Sequence, residues 1–117
     1  MMNHQKLHCY QRSLRLAEAL SKAMPQWPGG TARLKDQLRR ASISAVLNIA
    51  EGAGKASPRD QAHFYVIARG SMQEVSAAID IARALGFVSD LRHQELEQEI
   101  TVIVKMTSKL IAATTYR

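Results

Sequence analysis

The chain has 117 residues, 46% of them hydrophobic, and a formal net charge of +6. This length and composition suit one globular domain and argue against wholesale disorder. A lone cysteine, Cys9, excludes an intrachain disulfide, and no apolar run approaches the roughly 20 residues that cross a bilayer. We therefore expect a single cytoplasmic domain over residues 1–117 that has no membrane partner.

Helical periodicity recurs in four blocks, whereas strand patterns are nearly absent. The first predicted helix covers about residues 4–24, and residues 25–30 end it because two prolines and a glycine pair cannot continue a helix. Trp27 lies between those prolines, and we expect it either to cover the bundle end or to contact a subunit or partner. The expected core seam consists of Leu7, Tyr10, Leu14, Ala17, Ser21 and Met24, widened by Leu16 and Leu20.

The second predicted helix covers about residues 32–52. Thr31 is its expected N-cap. Residues 52–54 are expected to end it, because glycine tolerates the left-handed conformation that is common at helix C-termini. Its expected apolar stripe is Leu34, Leu38, Ala41, Ala45 and Ile49, broadened by Ile43, Val46 and Leu47.

The third predicted helix covers about residues 58–85 and has the clearest start in the sequence. Ser57 can cap it, Pro58 takes the first helical position, and Asp60 favours the positive end of the helix dipole. Gly86 is expected to stop it. Its expected seam is Phe64, Ile67, Ser71, Val75, Ala78, Ala82 and Leu85.

The fourth predicted helix covers about residues 90–114 and opens at Ser89 or Asp90. Four amphipathic helices joined by short connections predict an all-α, antiparallel up-down-up-down four-helix bundle. Because the seams repeat nearly as heptads, we expect left-handed crossing of the helices. The fourth helix would bury Leu96, Ile100, Ile103, Thr107, Leu110 and either Ala113 or Thr114.

Positive charge is concentrated in the first half of the chain. Residues 1–56 hold nine Lys or Arg against three acids, whereas residues 57–117 hold seven of each. We expect one basic face that attracts RNA, DNA or an acidic protein, and charge that serves solubility alone is the plainer alternative. Lys55 also lies just before a helix N-terminus, a position that favours phosphate. The candidate nucleic-acid or partner-binding residues are Arg12, Arg15, Lys22, Arg33, Lys35, Arg39, Arg40 and Lys55.

A row of polar residues runs along the second helix beside its apolar stripe: Gln37, Arg40, Ser44, Asn48 and Glu51. Its members recur at helical spacing and therefore share a face. An unpaired buried polar group costs on the order of 1–3 kcal/mol, so we expect partners on the third helix, where Gly70 would permit a close approach. The alternative is a functional site, either a Glu51–Glu74 acid pair or an anion pocket. The expected interhelix network comprises Arg40, Ser44, Asn48, Glu51, Ser71 and Glu74.

Three segments carry a family resemblance: Leu-Arg-Arg-Ala-Ser-Ile-Ser at residues 38–44, Asn-Ile-Ala-Glu-Gly at residues 48–52, and Ala-Arg-Gly-Ser at residues 68–71 with Glu74 after it. The chain resembles, over about residues 6–112, the four-helix-bundle proteins encoded in intervening sequences of bacterial large-subunit rRNA genes. The resemblance implies a left-handed bundle, a homopentameric ring and no enzymatic activity. It also implies kinship with accessory proteins of diversity-generating retroelements, basic pentamers to which contacts with nucleic acid and a reverse transcriptase are ascribed. The family's characteristic positions correspond here to Arg39, Arg40, Ser44, Asn48, Glu51, Gly52, Gly70, Ser71 and Glu74.

Patterns for catalysis and metal binding are weak. The glycine-rich loop before the third helix lacks P-loop spacing. His4, His8 and Cys9 do not make a complete zinc set, and His63 and His93 fall on separate helices. Nothing in the sequence places a general base beside the cysteine or a serine. We therefore predict no enzyme, no catalytic residues, no cofactor and no metal. Two hypotheses remain: a homo-oligomer that binds nucleic acid, and a protein-interaction adaptor.

Overall fold

The computed structural model describes residues 2–115, with the backbone alone for Gln5, Lys6 and Thr115. It contains four α-helices: α1 (His8–Ala23), α2 (Ala32–Gly54), α3 (Pro58–Ala84) and α4 (Asp90–Thr115). Short 3-10 helices at Asn3–Lys6 and Met24–Gln26 flank α1. The described part of the chain contains no strand, so the all-α prediction is confirmed. None of the helices in this part of the chain combines the length and the hydropathy of a transmembrane segment.

The helices pack as a bundle of about the length of its longest members. α2 packs along α3, α3 packs along α4, and α1 packs against both α2 and α4. The resulting body measures 47 × 22 × 20 Å. Side-chain contacts between α3 and α4 step in opposite directions along the two helices, as in Arg69–Ser108, Ser76–Glu97 and Asp80–His93.

Local capping chemistry explains where α3 and α4 begin. The Ser57 hydroxyl accepts a hydrogen bond from the backbone N–H of Asp60 at 3.1 Å, as predicted. Ser89 caps α4 in the same way, accepting from the backbone N–H of Arg92 at 3.1 Å. Such caps each contribute about 1 kcal/mol. Thr31 precedes α2 as expected, but the prediction that its side chain caps the helix is wrong. Its hydroxyl instead donates a hydrogen bond to the carbonyl of Pro28 at 2.8 Å and so closes the preceding turn.

Two glycines have identifiable structural roles: one ends a helix, and the other allows a side chain to pack closely against the backbone. Gly86 has φ +82° and ends α3 as expected. The left-handed role predicted for residues 52–54 is wrong, since neither glycine there has a positive φ and α2 continues to Gly54. Gly52 instead lies against the Tyr65 ring, where an added Cβ would be 2.6 Å from Cε1. The close approach expected at Gly70 is also wrong, because that residue is exposed and an added Cβ would meet nothing within 4 Å.

The core face of α1 differs from the predicted seam. Its buried residues are Cys9, Ser13, Leu16 and Leu20, followed by Met24 after the helix. The predicted seam residue Leu14 is 48% exposed. The pattern failed because Cys9 and Ser13 were not counted as core residues. The Cys9 thiol is nevertheless accommodated, since its Sγ lies 3.2 Å from the Thr107 hydroxyl, which itself donates to the carbonyl of Ile103 at 2.7 Å.

Trp27 closes one end of the bundle. It is buried within the hydrophobic core, and its ring centroid lies 5.9 Å from that of Phe87 in the α3–α4 connection. This favours the first of the two alternatives for Trp27, a cover over the bundle end.

Candidate functional site

A polar contact joins α2 to α3 at the middle of their interface. The hydroxyls of Ser44 and Ser71 lie 2.9 Å apart, within hydrogen-bonding distance. The Asn48 side-chain amide donates to the Ser44 carbonyl at 2.8 Å and to its hydroxyl at 3.1 Å. The structure therefore brings together three residues of the expected interhelix network, Ser44, Asn48 and Ser71. All three are half-buried, which suits a pairing that fixes the register of the helices.

The charged members of that network are not joined to it. Arg40 and Glu74 are exposed and line one groove between α2 and α3, together with Ser44 and Ser71. Neither forms a hydrogen bond or ion pair within residues 2–115. Glu51 turns to its own helix and pairs with Lys55 at 3.6 Å. Two charged groups of opposite sign are thus left available at the surface of this groove.

Apolar side chains flank the same groove on both helices. On α2, Ile43 and Leu47 are three and seven residues after Arg40 and therefore lie on its side of the helix. On α3, Ile67 and Ile81 lie seven residues before and after Glu74. All four are exposed, Leu47 by 59%, although Ile43, Leu47 and Ile67 were expected in or beside the core. We call this surface the α2–α3 face; it consists of Arg40, Ile43, Ser44, Leu47, Ile67, Ser71, Glu74 and Ile81.

The exposure of these four side chains has a simple geometric cause. α2 and α3 each bury a different stripe, centred on Leu38, Ala45 and Ile49 and on Ala68, Val75 and Ile79. Both helices therefore carry more apolar residues than one bundle core can cover. Exposed apolar side chains interspersed with polar groups on one face are typical of an interaction surface.

Half of the candidate basic residues are paired with acids. Arg12 makes a two-point contact with Glu99, at 2.9 Å from Nε and 3.1 Å from Nη2, and this hydrogen bonding raises the pKa of Arg12. Three further pairs join residues three or four positions apart in the chain: Lys22–Glu18 at 3.7 Å, Arg39–Asp36 at 3.5 Å and Lys55–Glu51 at 3.6 Å.

The other half have no side-chain partner in the described region. These residues are Arg15, Arg33, Lys35 and Arg40. They are the candidates best able to contact phosphate, since a paired cation must first give up its acid. Lys55 lies over the Phe64 ring at 5.1 Å as well as beside Glu51, so its ammonium group is held close to the α2–α3 connection.

The basic residues do not form the single face that the sequence predicts. Arg12 and Arg15 line a groove between α1 and α4 that also contains Arg92 and two glutamates. Arg40 lines the groove between α2 and α3. Because the helices neighbour one another in the order α1, α2, α3, α4, these grooves lie on opposite sides of the bundle. The candidate basic residues are therefore divided between two sides of one copy, and in each groove arginine lies beside glutamate.

The cysteine is poorly placed for nucleophilic chemistry. Burial raises the pKa of the Cys9 thiol, against an opposing effect of its hydrogen bond to Thr107. A thiol that keeps its proton is a weak nucleophile.

The comparison with known protein families identifies the chain's relatives. The family model of the 23S rRNA-intervening sequence protein matches residues 5–109. This match spans most of the chain and includes all three segments that carry the resemblance. The chain belongs to this family. A search of curated proteins gave no match.

Proposed function

We propose that this member of the intervening-sequence protein family is a non-enzymatic, cytoplasmic, homo-oligomeric binding protein. The α2–α3 face forms one side of its self-association interface, since a ring of more than two copies joins two different surfaces of each copy. A pentamer is favoured by the family resemblance. We also propose the finer topology of the bundle, up-down-up-down with left-handed crossing; the opposite stepping of α3–α4 contacts supports the antiparallel order.

The observation that carries the proposal is the exposed apolar content of the α2–α3 face. Full burial of one Ile or Leu side chain stabilises by about 1.5–3 kcal/mol. Ile43, Leu47, Ile67 and Ile81 are 38–59% exposed, so covering them contributes roughly 3–6 kcal/mol in all. Association costs about 4–15 kcal/mol. The exposed apolar side chains of one copy therefore recover only the lower end of that cost.

The charged groups of the groove add to this apolar contact. Arg40 and Glu74 have opposite charges and no partner within the described chain, so each can pair with a group on a neighbouring copy. The Ser44–Ser71 contact beneath them holds α2 and α3 in register. In this account the family's characteristic polar residues serve assembly rather than catalysis.

Nucleic acid is the ligand that we propose for the assembled protein. The support is the net charge of +6 and three basic residues that have no acidic partner in the described chain and lie outside the α2–α3 face, namely Arg15, Arg33 and Lys35. Assembly repeats these residues around the oligomer, so that several weak phosphate contacts act together. Binding of this kind weakens steeply as salt rises, because every phosphate contact releases counterions.

Retention of labelled RNA and single-stranded DNA tests this ligand. We expect binding at low salt that falls steeply with salt, and weaker binding by the Arg15→Glu/Lys35→Glu variant at unchanged oligomer size. The matched control is Arg59→Glu/Arg83→Glu, which reverses the same amount of charge at two exposed basic residues of α3 outside the candidate set. Undetectable binding at low salt, or binding that salt does not alter, would remove nucleic acid from the proposal.

A protein-interaction adaptor is the second candidate function. It is favoured by apolar residues exposed outside the α2–α3 face, Leu14 on α1 and Leu91 on α4. Such an adaptor would keep an acidic protein partner through purification, and nuclease treatment would not release it.

A further inference from the structure

Three potential metal ligands meet where α3 approaches the start of α4. The Nε2 atom of His93 lies 2.7 Å from Oδ1 of Asp80 and 3.8 Å from Oε1 of Glu97. One ligand atom from each residue lies within 4.8 Å of the others. His93 and Glu97 are four residues apart on α4 and therefore point from the same face, while Asp80 comes from α3. Such an arrangement does not follow from any one segment of sequence.

We propose that Asp80, His93 and Glu97 form a site for one divalent transition-metal ion of the zinc class. An imidazole nitrogen and carboxylate oxygens are ligands that zinc accepts, and three protein ligands with one water make a complete tetrahedral shell. Zn–ligand distances of about 2.0–2.1 Å place tetrahedral ligands about 3.3 Å apart. The observed 2.7 Å and 3.8 Å lie on either side of that separation. The Asp80–His93 pair must separate by about half an ångström and the His93–Glu97 pair must approach by about as much, while the two carboxylate oxygens, which lie within 4.8 Å of each other, must come to about the same 3.3 Å separation.

The surroundings of the three residues support this assignment. The Ser76 hydroxyl lies 2.9 Å from both carboxylate oxygens of Glu97 and so restrains the orientation of that carboxylate. Outer hydrogen bonds of this kind fix metal ligands in place. The His93 side chain is only 15% exposed, whereas Asp80 is 60% exposed. The ring is thus held between the helices, and water can reach the open coordination position.

The charge balance points the same way. Two carboxylates and a neutral imidazole carry two negative charges, which a divalent cation neutralises. A protonated His93 neutralises only one of them. An ion here ties α3 to α4 beside the turn at Gly86, so its effect is to stabilise that end of the bundle. The site lies apart from the α2–α3 face and does not depend on self-association.

Zinc titration of the full chain, stripped with chelator and dialysed, tests the site. We expect one tightly bound Zn²⁺ per chain, a higher melting temperature with Zn²⁺ than with Mg²⁺, and at least tenfold weaker zinc binding in His93→Gln and Asp80→Asn. X-ray absorption should report one nitrogen and two carboxylate ligands. Circular dichroism of the metal-free variants establishes that they are folded.

Two controls separate this site from other histidines. His63→Gln alters an exposed histidine of α3 and should bind zinc as the wild type does. The double variant His4→Gln/His8→Gln tests the N-terminal pair, and it too should retain binding. The proposal is overturned if the wild type binds no zinc, which leaves a hydrogen-bonded ion pair only. It is also overturned if His93→Gln binds as tightly as the wild type, or if binding is lost in the N-terminal double variant.

Discussion

The contact between Gly52 and Tyr65 leads to a prediction in which one substitution has opposite effects at two glycines. Alanine usually stabilises a helix interior by about 1 kcal/mol relative to glycine. At Gly52, however, the new Cβ would lie 2.6 Å from Cε1 and 2.8 Å from Cδ1 of Tyr65, a ring that is itself buried. Overpacking of this kind costs about 1–3 kcal/mol. We therefore expect Gly52→Ala to lower the free energy of unfolding by up to about 2 kcal/mol, the difference between these two effects.

Gly70→Ala is the matched control for that prediction. Gly70 lies in the interior of α3, and a Cβ there meets nothing within 4 Å. We expect it to gain about 0.5–1 kcal/mol. Urea unfolding followed by circular dichroism measures the free energy of unfolding of both variants. In a thermal melt, a chain of this size shifts its melting temperature by about 3–6 °C per kcal/mol.

A second variant tests whether the Tyr65 ring is the cause. Tyr65→Leu removes the ring atoms nearest to Gly52, so Gly52→Ala should cost less in that background than alone. The reasoning is refuted if Gly52→Ala stabilises the protein as much as Gly70→Ala does.

Two further predictions concern the cap of α3 and the buried thiol. Ser57→Ala should lower the free energy of unfolding by about 1 kcal/mol through loss of the bond from the Asp60 N–H, and equal stability of variant and wild type in urea would contradict it. Because burial raises the pKa of Cys9, an aromatic disulfide reagent at pH 8 should label the native protein far more slowly than the urea-unfolded protein; equal rates would mean that the thiol is accessible in the folded state.

Local sequence signals predicted the ends of α3 and the start of α4 well. Ser57, Pro58 and Gly86 act through neighbouring backbone groups, so a single segment of sequence contains all the information that their roles require. The start of α1 was less accurate, because the 3-10 helix Asn3–Lys6 precedes it and the regular helix begins only at His8.

Core register was harder to predict wherever polar residues are buried. α1 buries Cys9 and Ser13 while Leu14 stays exposed, and the Cys9 thiol meets Thr107 across the bundle. Hydrophobic periodicity counts side chains by polarity and does not detect such a contact. A register displaced by one position follows directly from that omission.

The candidate sites likewise differ in how much of each depends on packing between helices. The Ser44–Ser71 contact follows from a polar row facing a neighbouring helix. Arg40 and Glu74 line the groove beside this contact but do not hydrogen-bond to it. Their distance from the α2–α3 interface decides this, and the spacing of residues in the sequence does not reveal that distance. The cluster of Asp80, His93 and Glu97 depends on the register between α3 and α4, and the sequence reveals that register only after the helices are packed.

The central claim, self-association through the α2–α3 face, is tested most directly by sedimentation velocity at micromolar concentration. Leu47→Glu places a charge in the face, whereas Leu91→Glu alters an equally exposed leucine on α4, the two being 59% and 68% exposed. We predict that the wild type and Leu91→Glu sediment as one oligomer, of five copies by family resemblance, and that Leu47→Glu sediments as a folded smaller species. A wild-type monomer, or a Leu47→Glu variant with the wild-type sedimentation coefficient, would contradict the account.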